Sequence, residues 1–126
     1  MAGACHSHSP LVRSEGVLVD VTGLTGVIAV DREAGSARIR AGTRISELGE
    51  PLRGQGVALI NQGDIDRQSL GGALATGTHG TGVGLANLSA GLLGVMCDLV
   101  PRGATFCTQY LNTLNLSSNA LGYRGI

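Results

Sequence analysis

The stretch Ser69-Leu-Gly-Gly-Ala-Leu-Ala-Thr-Gly-Thr-His-Gly-Thr-Gly-Val-Gly84 decides how the rest of the chain is read. Glycine lacks a Cβ, reaches positive φ at little cost and exposes its N–H, so a run of Gly, Ala and Thr turns several donors toward an oxyanion. The same run is weak in packing and costly in chain entropy. A ligand lying against the backbone, or a tight crossing of two segments, would explain it, and we read it as a seat for a phosphate-bearing cofactor. Ser69 is placed to cap a short helix from Leu70 to Ala75, in which Gly71 and Gly72 allow close approach of a neighbour.

Upstream, short β-branched runs at Val17–Asp20 and Val27–Asp31 read as strands separated by Thr22-Gly-Leu-Thr-Gly26. Ala37-Arg-Ile-Arg40 alternates apolar with charged residues after the turn Glu33-Ala-Gly35, which predicts a third strand with one wet face. Thr43 is placed to cap a helix carrying Ile45, Leu48 and Leu52 at helical spacing, and Gly54 or Gly56 ends it. Pro51 inside that pattern removes a hydrogen bond, so the expected helix is short or kinked. Val57–Ile60 is a further strand, and Asn61–Asp66 a turn-rich connection. Leu88–Val95 reads as a helix end followed by a buried strand, while Gly3-Ala-Cys-His-Ser-His-Ser-Pro10 forms a tight polar loop at the amino terminus.

The chain of 126 residues suits one domain. With no Trp, one Phe and two Tyr, its core must come from Val, Leu, Ile and Ala. Nine arginines balance nine acidic residues, so no excess charge calls for nucleic acid or an anionic membrane as partner. The sequence has neither an apolar run of about 18 residues nor a charged leader followed by an apolar one, which sets the expectation of a cytoplasmic protein. Cys5, Cys97 and Cys107 are odd in number and lack C-x-x-C spacing, which predicts free thiols rather than a disulfide framework or a zinc site. After Met96 the composition changes: Phe106, Tyr110 and Tyr123 are all the aromatic residues, and Asp98 is the one acid. The composition therefore sets a boundary at about Met96.

Taken together, Gly3-Ala-Cys-His-Ser-His-Ser-Pro10 and Gly71-Gly-Ala-Leu-Ala-Thr-Gly-Thr-His-Gly80 resemble the FAD-binding half of the vanillyl-alcohol oxidase superfamily. The text between them, including Val17-Leu-Val-Asp-Val-Thr-Gly-Leu24, Ala41-Gly-Thr-Arg-Ile-Ser-Glu-Leu48 and Leu59-Ile-Asn-Gln-Gly-Asp64, is similar at the same spacing. The likeness covers about residues 3 to 95 and lies nearest the sugar-lactone and alditol oxidases, such as the L-gulonolactone and D-arabinono-1,4-lactone oxidases. Its end after Val95 implies residues 1–95 as a partial FAD-binding domain and 96–126 as a divergent tail, frame-shifted or foreign. It implies an α+β fold, an FAD-binding domain of the PCMH type, incomplete, with short strands and one or two small helices. It also implies that Gly3, Ala4, Cys5, His6 and Ser7 form the first FAD loop, and that Gly71, Gly72, Ala75, Thr76, Gly77, Thr78, His79 and Gly80 form the second. No metal is implied. By the same likeness His6 matches the histidine that bonds the flavin 8α carbon; a solvated loop histidine is the alternative. Cys5 stands where the family pattern has glycine. The His79 backbone would belong to the flavin wall, unless its ring serves its own loop alone. Asp64 and Asp66 read as solvated or capping rather than as an acid–base pair, with Gln62 and Ser69 as secondary polar contacts to the cofactor.

The implied activity is oxidation of a CH–OH group of a sugar lactone or polyol, with hydride passing to flavin N5 and oxygen as acceptor. Residues that face substrate in this family belong to a second domain that nothing here resembles, so no catalytic residue is assigned. Two other classes stay open: a flavin- or nucleotide-binding module without turnover, and an inactive truncated remnant.

Overall fold

The computed structural model describes residues 1–99 and 107–117. Its sheet starts from a hairpin of β1 (Val27–Asp31) and β2 (Ser36–Arg40), paired antiparallel from Asp31↔Ser36 to Val27↔Ile39 with one register shift. Local chemistry closes the turn between them. The Asp31 carboxylate accepts the Ala34 N–H at 2.9 Å, and Gly35 supplies a φ of +59°. On β2 the alternation holds as read from sequence, with Ala37 and Ile39 buried and Arg38 exposed.

Among the described residues, five strands build the sheet. The central one is β5 (Cys107–Ser117), which pairs antiparallel with β2 from Ser36↔Asn115 to Arg40↔Leu111 and with β4 (Leu92–Leu99) from Leu92↔Leu114 to Leu99↔Cys107. A short β3 (Ala58–Leu59) takes up pairing farther along β5, at Leu116 and Ser117. The compositional change at Met96 thus falls inside β4, and backbone pairing continues across it. Phe106, Tyr123 and the stretch beyond Leu99 up to Phe106 lie outside the described residues.

Two short helices cover the sheet. A 3-10 turn at Ile45–Glu47 leads into α1 (Gly49–Gly54), and α2 (Leu70–Ala75) follows the connection after β3. A second 3-10 turn at Leu88–Gly91 opens directly into β4, the helix end and strand expected from Leu88 to Val95, but the strand is not buried as expected: Leu93, Gly94 and Val95 are exposed. α1 is short, six residues, as the sequence predicts for a segment that carries Pro51. The helix begins at Gly49, so Pro51 sits in its first turn, where its missing N–H has no intrahelical partner to lose. The core is aliphatic: Ile39, Leu48, Leu52, Leu70 and Leu114 are among its most buried members. Full burial of each such side chain contributes about 1.5–3 kcal/mol.

Two expectations are corrected. Val17–Asp20 is not a strand: it makes a single parallel bridge, Ala2↔Asp20, through Ala2 N–H to Val19 O and Val21 N–H to Ala2 O, at 2.8 and 2.9 Å. Its partner turns away at Gly3, so pairing stops after one residue and Val17 stays 84% exposed. Thr43 caps no helix. Its buried hydroxyl accepts the Gly26 N–H at 2.9 Å and donates to Arg40 O at 2.7 Å, joining the start of β1 to the end of β2.

Candidate cofactor-binding site

Both faces of α2 follow from its sequence. Leu70, Ala73 and Leu74 recur at i, i+3 and i+4 and are buried, which leaves Gly72, Ala75 and Thr76 exposed on the opposite side. Gly71 lies between the faces, its N–H bonded to Ala41 O at 2.8 Å; a Cβ there would come within 3.0 Å of the Ala41 methyl. Leu70 N–H is likewise taken by Thr43 O at 2.8 Å. The helix start is therefore stitched to residues 41–43, and glycine at 71 lets it lie close to them.

The amino-terminal loop crosses the exposed face of α2. Ala2 is buried, and from there Gly3–Ser7 run over Ser69, whose hydroxyl accepts the Ala4 N–H at 3.4 Å. Between loop and helix lies a groove of about 200 Å³, lined by Gly3, Ala4, Cys5, His6 and Ser7 on one side and by Gly72, Ala75 and Thr76 on the other. It shares Gly3, Ser69, Gly72 and Ala75 with an apolar cavity of about 360 Å³ that reaches Val21, Leu92 and Val95. No carboxylate and no arginine among the described residues lines either space. Among the described residues, the N–H groups of Cys5, His6, Ser7 and Gly72 have no backbone or side-chain acceptor. Cys5 is an exposed free thiol and, among the described residues, the one non-glycine residue with positive φ, +50°.

The remainder of the small-residue run turns elsewhere. Gly77, at φ +64°, ends α2 with its N–H on Leu74 O, and Thr78 N–H bonds Ala73 O at 3.0 Å. His79 and Gly80 then pack toward the connection after β3: a Cβ on Gly80 would meet Gln62 O at 2.5 Å and Asn61 Oδ1 at 2.7 Å. The exposed His79 ring contacts its own loop through Nδ1 and Gly80 O at 2.9 Å. Of the residues singled out from sequence, Gly3–Ser7 and Gly71–Thr76 thus come together, with Gly71 facing the deeper cavity. Gly77, Thr78, His79 and Gly80 do not line either space. Gln62 lies in a separate depression with Leu59 and Arg53, away from the groove.

Ser69 departs from its expected role. It precedes α2 with an extended backbone, yet makes no side-chain cap. Asp64 is exposed, and Asp66 approaches the Arg67 guanidinium at 3.6 Å on a solvated surface. Asp20 has its carboxyl held below its ordinary range by the Thr22 backbone N–H, which it accepts at 2.8 Å. Among the described residues, no group of His, Cys, Asp and Glu has the arrangement to hold a metal ion.

A family model described as an FAD binding domain matches residues 1–106. The chain belongs to the FAD-binding domain family. L-gulono-1,4-lactone dehydrogenase of Mycobacterium tuberculosis is 44% identical to this FAD-binding domain over 88 residues, which is 70% of this chain and 21% of that protein. D-arabinono-1,4-lactone oxidase of Eremothecium gossypii is 35% identical over 83 residues, 63% of this chain and 16% of that protein. The chain spans about a fifth of the length of the curated relatives it matches. Cholesterol oxidase from Brevibacterium sterolicum superposes with a TM-score of 0.69 at 19% identity, over 91% of this chain and 29% of that structure, which shows the PCMH-type fold.

The cofactor of an FAD-binding domain is FAD, and the residues present fit it. A dinucleotide carries a charged pyrophosphate and flat apolar rings. The groove offers uncharged small residues and unpaired backbone N–H groups, which donate to phosphate oxygens without a lysine, while the adjoining cavity is apolar. Sequence reasoning missed Met1, Leu11, Val12 and Gln68 as lining residues. None carries a signal in pattern or spacing; the path of the amino-terminal loop brings them there.

Proposed function

We propose that this chain seats the FAD of an oxidoreductase that oxidises a CH–OH group of a sugar lactone or polyol, with oxygen as electron acceptor. Bound FAD supplies hydride acceptance at flavin N5, chemistry that belongs to the cofactor. The chain's own residues bind and orient. The N–H groups of Cys5, His6, Ser7 and Gly72 hold phosphate oxygens; Gly3, Ala4, Gly71, Ala75 and Thr76 leave room for the cofactor to lie against backbone; Leu92 and Val95 keep water from the apolar end. Gly77, Thr78, His79 and Gly80, which line neither space, are given no contact with the cofactor in this arrangement. His6, exposed on the groove wall, is the residue for covalent attachment to the flavin 8α carbon.

The observation that supports this reading is the meeting of Gly3–Ser7 with α2 around one uncharged groove. The substrate class follows from the names of the lactone-oxidising relatives. The equal balance of acidic and basic residues supports a protein that works without nucleic acid or an anionic membrane, and a cytoplasmic location is part of the proposal; no helix among the described residues is long and apolar enough to cross a bilayer. The test is incubation with FAD followed by desalting. Retained flavin absorbance, and colour that survives acid precipitation, support FAD binding and attachment at His6. Assay of the FAD-loaded chain with aldonolactones and polyols then separates an oxidase from a module that binds flavin without turnover.

A further inference from the structure

Ser69 is 2% exposed, and its hydroxyl is spent on something other than the helix it precedes. An N-cap hydroxyl accepts the N–H of the second or third helical residue. Here Gly71 N–H is already bonded to Ala41 O, and the Ser69 oxygen turns the other way, to the Ala4 N–H. The glycines around it are shaped to that oxygen. A Cβ on Gly3 would overlap Ser69 Oγ, and one on Gly72 would stand 3.0 Å from it. A single buried hydroxyl therefore touches the backbone of both loops, at the boundary shared by the groove and the apolar cavity.

We propose that Ser69 is a positioning residue: its hydroxyl pins Gly3–Ser7 onto α2 and sets the width of the groove, and Gly3 is glycine to admit that hydroxyl. This differs from a direct polar contact to the cofactor, because residues 3 and 4 already occupy the accessible side of the oxygen. What the groove holds rests on the function proposed above; the pin itself does not. Loss of the acceptor frees the first loop while leaving the sheet hydrogen bonds untouched, since the one hydrogen bond of the Ser69 hydroxyl among the described residues runs to Ala4.

The experiment compares the full chain with Ser69→Ala, Gly3→Ala and the double variant. Amide hydrogen exchange needs no cofactor. In Ser69→Ala, exchange at Ala4 and its loop neighbours rises roughly three- to tenfold, the loss of one hydrogen bond, while exchange at Ile39 and Leu114 is unchanged. The FAD dissociation constant rises by a similar factor. Gly3→Ala raises it further in the Ser69 chain than in the Ser69→Ala background, because the overlap with the oxygen is gone there. Unchanged exchange at Ala4, exchange rising equally across loop and sheet, or additive effects of the two substitutions would each overturn the pin. If the unaltered chain takes up no FAD, the cofactor reading fails by itself, and the exchange comparison still decides the role of Ser69.

Discussion

Replacing Cys5 with glycine removes a strain that the structure localises to one peptide unit. Cys5 has φ +50°, where a Cβ crowds the following carbonyl at a cost of about 1–2 kcal/mol. The Cys5 side chain is exposed, so its removal gives up little packing. Against this stands the larger unfolded-state entropy of glycine, about 0.5–1 kcal/mol. Cys5→Gly is thus expected to stabilise the fold by about 0.5–1 kcal/mol, which for a domain of this size raises the thermal midpoint by roughly 2–4 °C. Cys5→Ala is the control: it keeps the Cβ and the strain, and its midpoint stays within about 1–2 °C of the parent. Circular dichroism melts under reducing conditions read both. The family pattern of glycine before the histidine then has a physical reason, and Cys5→Gly also tightens FAD binding by pre-organising the loop. A midpoint lowered by Cys5→Gly, or raised equally by Cys5→Ala, would refute the assignment of the strain to this residue.

Thr43→Val leaves the Gly26 N–H and Arg40 O without their buried partner and is expected to lower stability by about 1–3 kcal/mol, read by urea denaturation. Leu70→Ala opens the fully buried end of α2 and costs about 2–5 kcal/mol by the same measurement. His6→Ala abolishes acid-stable flavin colour while reversible FAD uptake persists; acid-stable colour in that variant would exclude His6 as the attachment point. The depressed Asp20 carboxyl contributes stability that is full above its unfolded value of about 3.9 and is lost as pH falls through its lower folded value. Asp20→Asn accordingly flattens the acid limb of the melting profile below about pH 4 and leaves neutral pH behaviour in place.

Elements set by local chemistry were legible in the sequence. The β1–β2 hairpin announces itself through alternation around Asp31–Gly35, and α2 through Leu70, Ala73 and Leu74 beside a run of small residues. Positions set by distant partners were not. Ser69 and Thr43 both carry the chemistry of caps, but backbone carbonyls of residues 41 and 43 had already taken the Leu70 and Gly71 N–H groups, and each hydroxyl serves a loop or strand far away in sequence. The centre of the sheet was hidden for a different reason. Leu114 and Leu116 of β5 are buried at period two, yet they lie in a segment whose composition departs from what precedes it. Within the candidate site, the meeting of Gly3–Ser7 with α2 was anticipated from two motifs read together. The outward turn of His79 and Gly80 toward Asn61 and Gln62 depends on β3 and its connection, which no local pattern specifies.

Equilibrium titration of the purified chain with FAD, followed by quenching of flavin fluorescence, tests the central claim most directly. A saturable, one-to-one uptake that Gly72→Val weakens severalfold, by filling the groove wall and crowding the Ser69 hydroxyl, is the predicted result. A folded chain, verified by its cooperative melt, that leaves FAD fluorescence unchanged at generous concentration would contradict it.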